Sequence, residues 1–203
     1  MSKQTRFLTT TTTTTKRLLM RCIATLCVAT AFLVRAEGVD ASIATQLAKL
    51  VADDGAKYDD FGISVAVSDG IAVVGARSKD SRFGAVYLFQ MSSSDDASSW
   101  TQVAKLKAND GAASDWFGYS VAISDGTIVV GANRDDDKGS ESGAAYVFEM
   151  SSPDDASSWA QVAKLTADDG AKHDHFGNSV AISDGTIVIG AYADDDKGSA
   201  SIF

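Results

Sequence analysis

Two stretches concentrate groups able to hold a cation: Asp135, Asp136 and Asp137, and Asp194, Asp195 and Asp196, each followed by Lys-Gly-Ser. Three adjacent carboxylates repel one another unless they are spread into solvent or gathered on a positive charge. Calcium is the natural guest of such a loop, at the weak affinities of extracellular modules. The solvated charged loop is the alternative, and both readings stand at this level. The corresponding region of an earlier copy carries Arg77, Lys79 and Arg82 with only Asp80, so the acidic triplet is not required to build the unit.

A second acidic pattern is Asp53-Asp54-Gly55 with Asp59, repeated as Asn109-Asp110-Gly111 with Asp115 and as Asp168-Asp169-Gly170 with Asp174. Asp-Gly sets a turn, and the later aspartate can accept backbone N–H bonds where the next strand starts. Cation binding is the alternative. His173 and His175 are two residues apart; in an extended segment their side chains point to opposite sides, so they are expected to be surface variation and not a metal pair. Trp100 and Trp159 recur in register and read as packing anchors, while Trp116, in a loop, is the one candidate exposed contact residue. For nucleophilic catalysis no Gly-x-Ser-x-Gly elbow or histidine motif is present. No catalytic or cofactor-binding residue is assigned, although many aspartates leave a carboxylate-pair glycosidase arithmetically open.

The elements that must position these residues repeat. Phe61–Ala76 reads FGISVAVSDGIAVVGA, Phe117–Ala132 reads FGYSVAISDGTIVVGA, and Phe176–Ala191 reads FGNSVAISDGTIVIGA. The units span residues 44–91, 100–150 and 159–203. In the second, four strand-like runs are expected at Trp100–Lys107, Phe117–Ser124, Thr127–Ala132 and Ala144–Met150. Tyr119, Val121 and Ile123 alternate with the small Ser120 and Ala122, which implies close approach by a neighbouring layer. Asp125-Gly126, like Asp69-Gly70 and Asp184-Gly185, suits a type I′ hairpin turn, in which both central residues have positive φ. Four short antiparallel strands per repeat of roughly 55 to 60 residues predict an all-β chain of β-propeller blades.

Composition and processing bound the rest. Residues 1–36 hold six basic residues and no acidic one, and the apolar run Cys22–Val34 ends at Val34-Arg35-Ala36, so 1–36 is expected to be a cleaved signal peptide and 37–43 a short lead. A start at Met20 would give a tidier leader. Of 18 basic residues 12 would remain against 27 acidic, a net charge of about −15. Such a chain excludes nucleic acid, whose phosphates need a basic face. Both cysteines, Cys22 and Cys27, lie in the leader, so a mature chain would have no disulfide. No membrane span is expected in it, and secretion or display at the cell surface is.

With Phe-Gly opening the core stretch, Gly-Ala closing it and AYVF following, the units resemble FG-GAP repeats, the blades of the integrin α-subunit head. The resemblance covers nearly all of residues 44–203. It implies a seven-bladed propeller and a role in adhesion or recognition of an extracellular protein or glycan, without enzymatic activity. Three units would then be part of a ring, either a fragment of a longer chain or one of several chains completing it. A propeller attached to an extracellular hydrolase and a nonfunctional gene fragment are the alternatives. The integrin-type calcium loop, D-x-D-x-D-G-x-x-D, is missing between Phe-Gly and Gly-Ala. Asp69, Asp125 and Asp184 supply one carboxylate each, too few for a calcium shell.

Overall fold

A computed structural model describes residues 46–92, 99–152, 155 and 157–203 of the chain. The expected signal peptide, the short lead and Pro153 lie outside the described residues. The compact unit Leu47–Phe203 consists of three antiparallel sheets. The first contains β1 (Phe61–Ser68), β2 (Ile71–Ala76), β3 (Ala85–Met91) and β4 (Trp100–Leu106). The second contains β5 (Ser120–Ser124), β6 (Thr127–Ala132), β7 (Ala144–Met150) and β8 (Trp159–Leu165). In the third, β9 (Phe176–Ser183), β10 (Thr186–Ala191) and β11 (Ser199–Ile202) form three strands. Strands follow chain order within every sheet, so each sheet is an up-and-down blade and the all-β reading holds. Among the described residues no helix is long and apolar enough to cross a membrane.

Blades and sequence repeats are out of phase. The Gln-Val-Ala-Lys-Leu run that opens the second repeat is the fourth strand of the first blade, because β4 pairs with β3. The same holds for β8 on β7. Each repeat thereby closes its predecessor, and Gln102 and Gln161 fasten the seam by accepting the Asp53 and Asn109 backbone N–H groups at 3.0 and 2.9 Å. The hairpin turns adopt positive φ at both central residues, 48° and 73° at Asp125 and Gly126, with near-identical values at Asp69-Gly70 and Asp184-Gly185. Phe117, expected to open the second run, instead bridges to Gly84 of the preceding blade, and β5 starts at Ser120.

Alternation sends one face of each blade backwards and the other forwards. Val73 and Leu88 of the first blade meet Val121, Ile128, Val130 and Phe148 of the second in one apolar layer. Val129 and Val147, on the opposite face of the second blade, pack against Ile187 and Ile189 of the third. The Phe of each Phe-Gly pair is an anchor: Phe117 is fully buried and lies edge-on to Tyr146 and Phe148 with centroids 5.4 and 5.9 Å apart. Phe61 makes the same approach to Tyr87 and Phe89. Burying such a ring is worth about 1.5–3 kcal/mol, before the edge-to-face geometry is counted.

The small-residue face is where the next blade arrives. Ser64 and Ser120 donate to the carbonyls of Gly118 and Gly177, each at 2.8 Å. A Cβ on Gly131 would sit 2.0 Å from the Gly177 carbonyl oxygen, and one on Gly75 would sit 2.1 Å from that of Gly118. Gly-Ala at the end of the core stretch is therefore a backbone-to-backbone joint. On the leading face of the first blade Val65 and Val67, in the register of the buried Val121 and the partly buried Ile123, are exposed.

Candidate functional site

The loops divide between two edges. At one edge lie the tight hairpin tips, where Asp69, Asp125 and Asp184 each accept a hydrogen bond from the preceding serine at 2.8, 2.7 and 3.2 Å. These single carboxylates do not fit the oxygen shell of the integrin-type calcium loop. The opposite edge carries the β2–β3, β6–β7 and β10–β11 loops together with the loops that enter each Phe-Gly pair. Both sets of candidate aspartates and both histidines lie there.

Equivalent positions on this edge keep one backbone and change side chain. Tyr58, Ser114 and His173 have φ of 72°, 78° and 71°; Asp60, Trp116 and His175 have 56°, 61° and 57°. Positive φ is uncommon for such residues; it recurs in all three units, and in the second and third these residues are also laced to the preceding blade. The Arg82 carbonyl accepts from the Ser114 and Trp116 N–H groups, and the Ser140 and Glu141 carbonyls accept from His173 and His175. Asp59, Asp115 and Asp174 do accept backbone N–H bonds, but from Ala56, Ala112 and Ala171, three residues earlier in the loop, at 2.6–2.7 Å, and not at the expected strand start.

The Asp135–Asp137 loop gathers on a cation, and the cation is the Lys164 ammonium. Its Nζ lies 2.8 Å from Asp135, 2.5 Å from Asp137 and 2.7 Å from Asp110, while the Tyr146 hydroxyl donates to Asp135 at 2.8 Å. Asp135 is 3% exposed. Asp136 turns away and accepts the Glu141 N–H at 2.7 Å. Burial works against the charge on Lys164, but the hydrogen bonds it donates to the three carboxylates outweigh it and raise its pKa above the usual lysine range. Burial pushes the Tyr146 phenol up, and Asp135 adds to it. Burial likewise raises Asp115, with Asp135 and Asp136 adding like-charge repulsion.

The first blade solves the same position with opposite charge. Lys79, three residues after Ala76 as Asp135 is after Ala132, is 6% exposed and pairs with Asp59 at 2.9 Å. Asp54 then takes over, accepting from Tyr87 at 2.7 Å and Lys105 at 2.6 Å, and these bonds lower its pKa to about 2. Tyr and Lys on adjacent outer strands thus form a socket in the first two blades, filled by Asp54 in one and by Asp135 together with Asp110 and Asp137 in the other. In the third blade Asp194–Asp196 occupy a tight turn with φ of 46° and 60° at Asp195 and Asp196. Asp194 is half-buried and the other two are exposed.

Across the edge runs a continuous polar and aromatic ladder. Asp60 pairs with Arg77 at 3.1 Å, the Arg77 guanidinium lies 4.5 Å from the Trp116 ring, and Arg134 covers that ring at 3.7 Å. Arg134 pairs in turn with Glu141 at 3.0 Å, and Glu141 faces His173 and His175. His175 stacks on Tyr192 with centroids 5.0 Å apart. Trp116 is therefore half-buried between two arginines, not the freely exposed contact expected of it. Its indole N–H and the Arg134 Nε have no hydrogen-bond partner. The two histidines also depart from expectation. Positive φ at both bends the segment, so their rings stack at 6.2 Å instead of pointing apart. Among the described residues Glu141, His173 and His175 form the one group of three metal-competent side chains with ligand atoms all within 4.8 Å of one another.

Up-and-down blades stacked through glycine joints define a β-propeller-type repeat protein. The chain belongs to the FG-GAP repeat family: the model of the FG-GAP repeat matches residues 44–89, 100–148 and 159–203. No curated protein matches it. Among solved structures, the chain is similar to the crystal structure of the computationally designed Ika4 protein, at 15% identity and a TM-score of 0.38, covering 79% of this chain and 98% of that one.

Proposed function

We propose that this chain is an extracellular, non-catalytic propeller segment that recognises a protein or glycan through its variable loop edge, in a role of the adhesion type. The reading is supported above all by the three-fold repetition of one backbone with different side chains: Tyr58, Ser114 and His173, and Asp60, Trp116 and His175, at matched φ. A rigid scaffold presenting unlike side chains at like positions is what a recognition surface needs. Secretion enters through residues 1–36, read as a signal peptide, and the strong negative charge of the remainder suits a cationic or polar ligand over nucleic acid. Calcium belongs to the same reading as a proposed ligand of Asp194, Asp195 and Asp196. At Asp135–Asp137 it would have to displace the Lys164 ammonium.

Screening the full chain against immobilised glycans and extracellular-matrix proteins tests this reading. A specific ligand whose binding falls by about tenfold or more in Tyr58→Ala, Trp116→Ala or His173→Ala is expected, equivalent to about 1.4 kcal/mol. Binding that ignores all three substitutions, or turnover of a glycan substrate, overturns it.

A further inference from the structure

We infer that Glu141, His173 and His175 form a binding site for a divalent transition metal of the zinc class at the joint between the second and third blades. Nothing in this inference depends on which macromolecule the loop edge recognises.

The first argument is distance. The Glu141 Oε2 atom lies 3.5 Å from His173 Nδ1 and 3.7 Å from His175 Nε2. Those separations are too long for good hydrogen bonds. They match the spacing of two ligands sharing one ion: bonds of about 2.1 Å in tetrahedral array place donor atoms about 3.4 Å apart. All three ligand atoms lie within 4.8 Å of one another, so a small movement of the exposed His173 toward the partly buried Glu141 and buried His175 completes the set.

The second argument is the proton on His175. Its Nδ1 lies 3.1 Å from the Asn133 backbone carbonyl, which can only accept, so Nδ1 carries the hydrogen; in the neutral ring the lone pair is then on Nε2, the nitrogen that faces Glu141. A ligating histidine held through its other nitrogen by a carbonyl is the usual outer support of a metal site. The ring is further fixed by stacking on Tyr192, with an interplanar angle of 8°. Glu141 is divided in a compatible way: Oε1 takes Arg134 at 3.0 Å and Oε2 is left to the histidines.

The third argument is the comparison with the preceding joint. There the three equivalent positions are Arg82, Ser114 and Trp116, with both loop N–H groups donating to the Arg82 carbonyl, and they offer no ligand set. The chain has only two histidines and places both here. Two imidazoles and a carboxylate favour zinc, cobalt, nickel or copper over calcium, whose shell is built from oxygen. Three protein ligands leave a fourth position for water or an oxygen of a ligand.

Cobalt(II) titration of the full chain, with Cys22 and Cys27 alkylated to remove thiolate ligands, provides the test. One equivalent should produce a tetrahedral visible spectrum that zinc sulfate abolishes by displacement. His173→Ala, at an exposed position, and Glu141→Gln should each weaken cobalt binding at least about tenfold, since loss even of an outer support costs that much. Circular dichroism of both variants should match the parent, which separates lost ligation from lost folding. Absence of a cobalt spectrum in the folded parent, or a spectrum unchanged in His173→Ala, overturns the site.

Discussion

Lys164 and Asp135 meet at 2.8 Å beneath the Tyr146 hydroxyl, and that contact decides the character of the acidic loop. An ammonium from an outer strand stands where a bound metal would otherwise neutralise Asp135 and Asp137. Lys164→Met should destabilise the second blade by about 3 kcal/mol, because a nearly buried carboxylate loses its partner. The same variant should acquire a calcium-dependent melting temperature that the parent lacks at this loop. Thermal melts in chelator and in millimolar calcium, for parent and variant, measure both effects.

Gly131 and Gly190 occupy the same register in successive blades but meet different neighbours. Gly131→Ala drives a methyl into the Gly177 carbonyl, whereas at Gly190 the nearest atom is the Ser179 hydroxyl at 2.5 Å, which can swing aside. Gly131→Ala should cost about 3 kcal/mol or more through overpacking. Gly190→Ala should cost about 1 kcal/mol or less. Paired urea unfolding curves compare the two, and equal costs would contradict the joint geometry.

Asp54 and Asp115 should respond to pH in opposite directions. The Asp54 carboxyl is lowered from 3.8 to about 2 by Lys105 and Tyr87, so its contribution is fully present above the unfolded value and is lost as pH falls through about 2. Half-exposed, it is worth about 1 kcal/mol after solvent screening, so Asp54→Asn should be less stable than the parent at pH 7, with most of the difference gone by pH 2. Asp115 is raised by burial and by its acidic neighbours. Its stabilising share is present below the unfolded value and lost as pH rises through the folded one, so Asp115→Asn should gain relative to the parent between acid and neutral pH. Stability measured from pH 2 to pH 7 distinguishes the two.

Trp116 is clamped by Arg77 and Arg134. Arg134→Ala removes the closer guanidinium and frees Glu141, and should destabilise by about 1–2 kcal/mol. Trp116 fluorescence should shift to longer wavelength as the ring gains water, read against a Trp116→Phe variant to isolate its signal.

Repetition made the blades legible. Phe-Gly, Ser-Asp-Gly and Gly-Ala recur at fixed offsets, and turn chemistry together with period-two alternation is local, so the hairpins and most strand bounds follow from neighbouring residues alone. The Ser120 and Ala122 face announced a close neighbour for the same reason. The site was less legible because its chemistry depends on contacts between residues far apart in the chain. An extended segment would separate His173 from His175, whereas both take positive φ and donate to carbonyls of the preceding blade, and their rings come together.

From sequence alone come the number of repeats, the hairpin turns, the acidic surface and the family. Each rests on composition or on contacts within a few residues. Only the tertiary structure decided that Lys164 reaches across to Asp110, Asp135 and Asp137, that Trp116 lies between two arginines, and that Glu141 faces two histidines. These relationships arise where one blade meets the next or where an outer strand crosses a loop. Their energies come from charges and rings brought within a few ångströms by packing, and spacing along the chain does not encode that proximity.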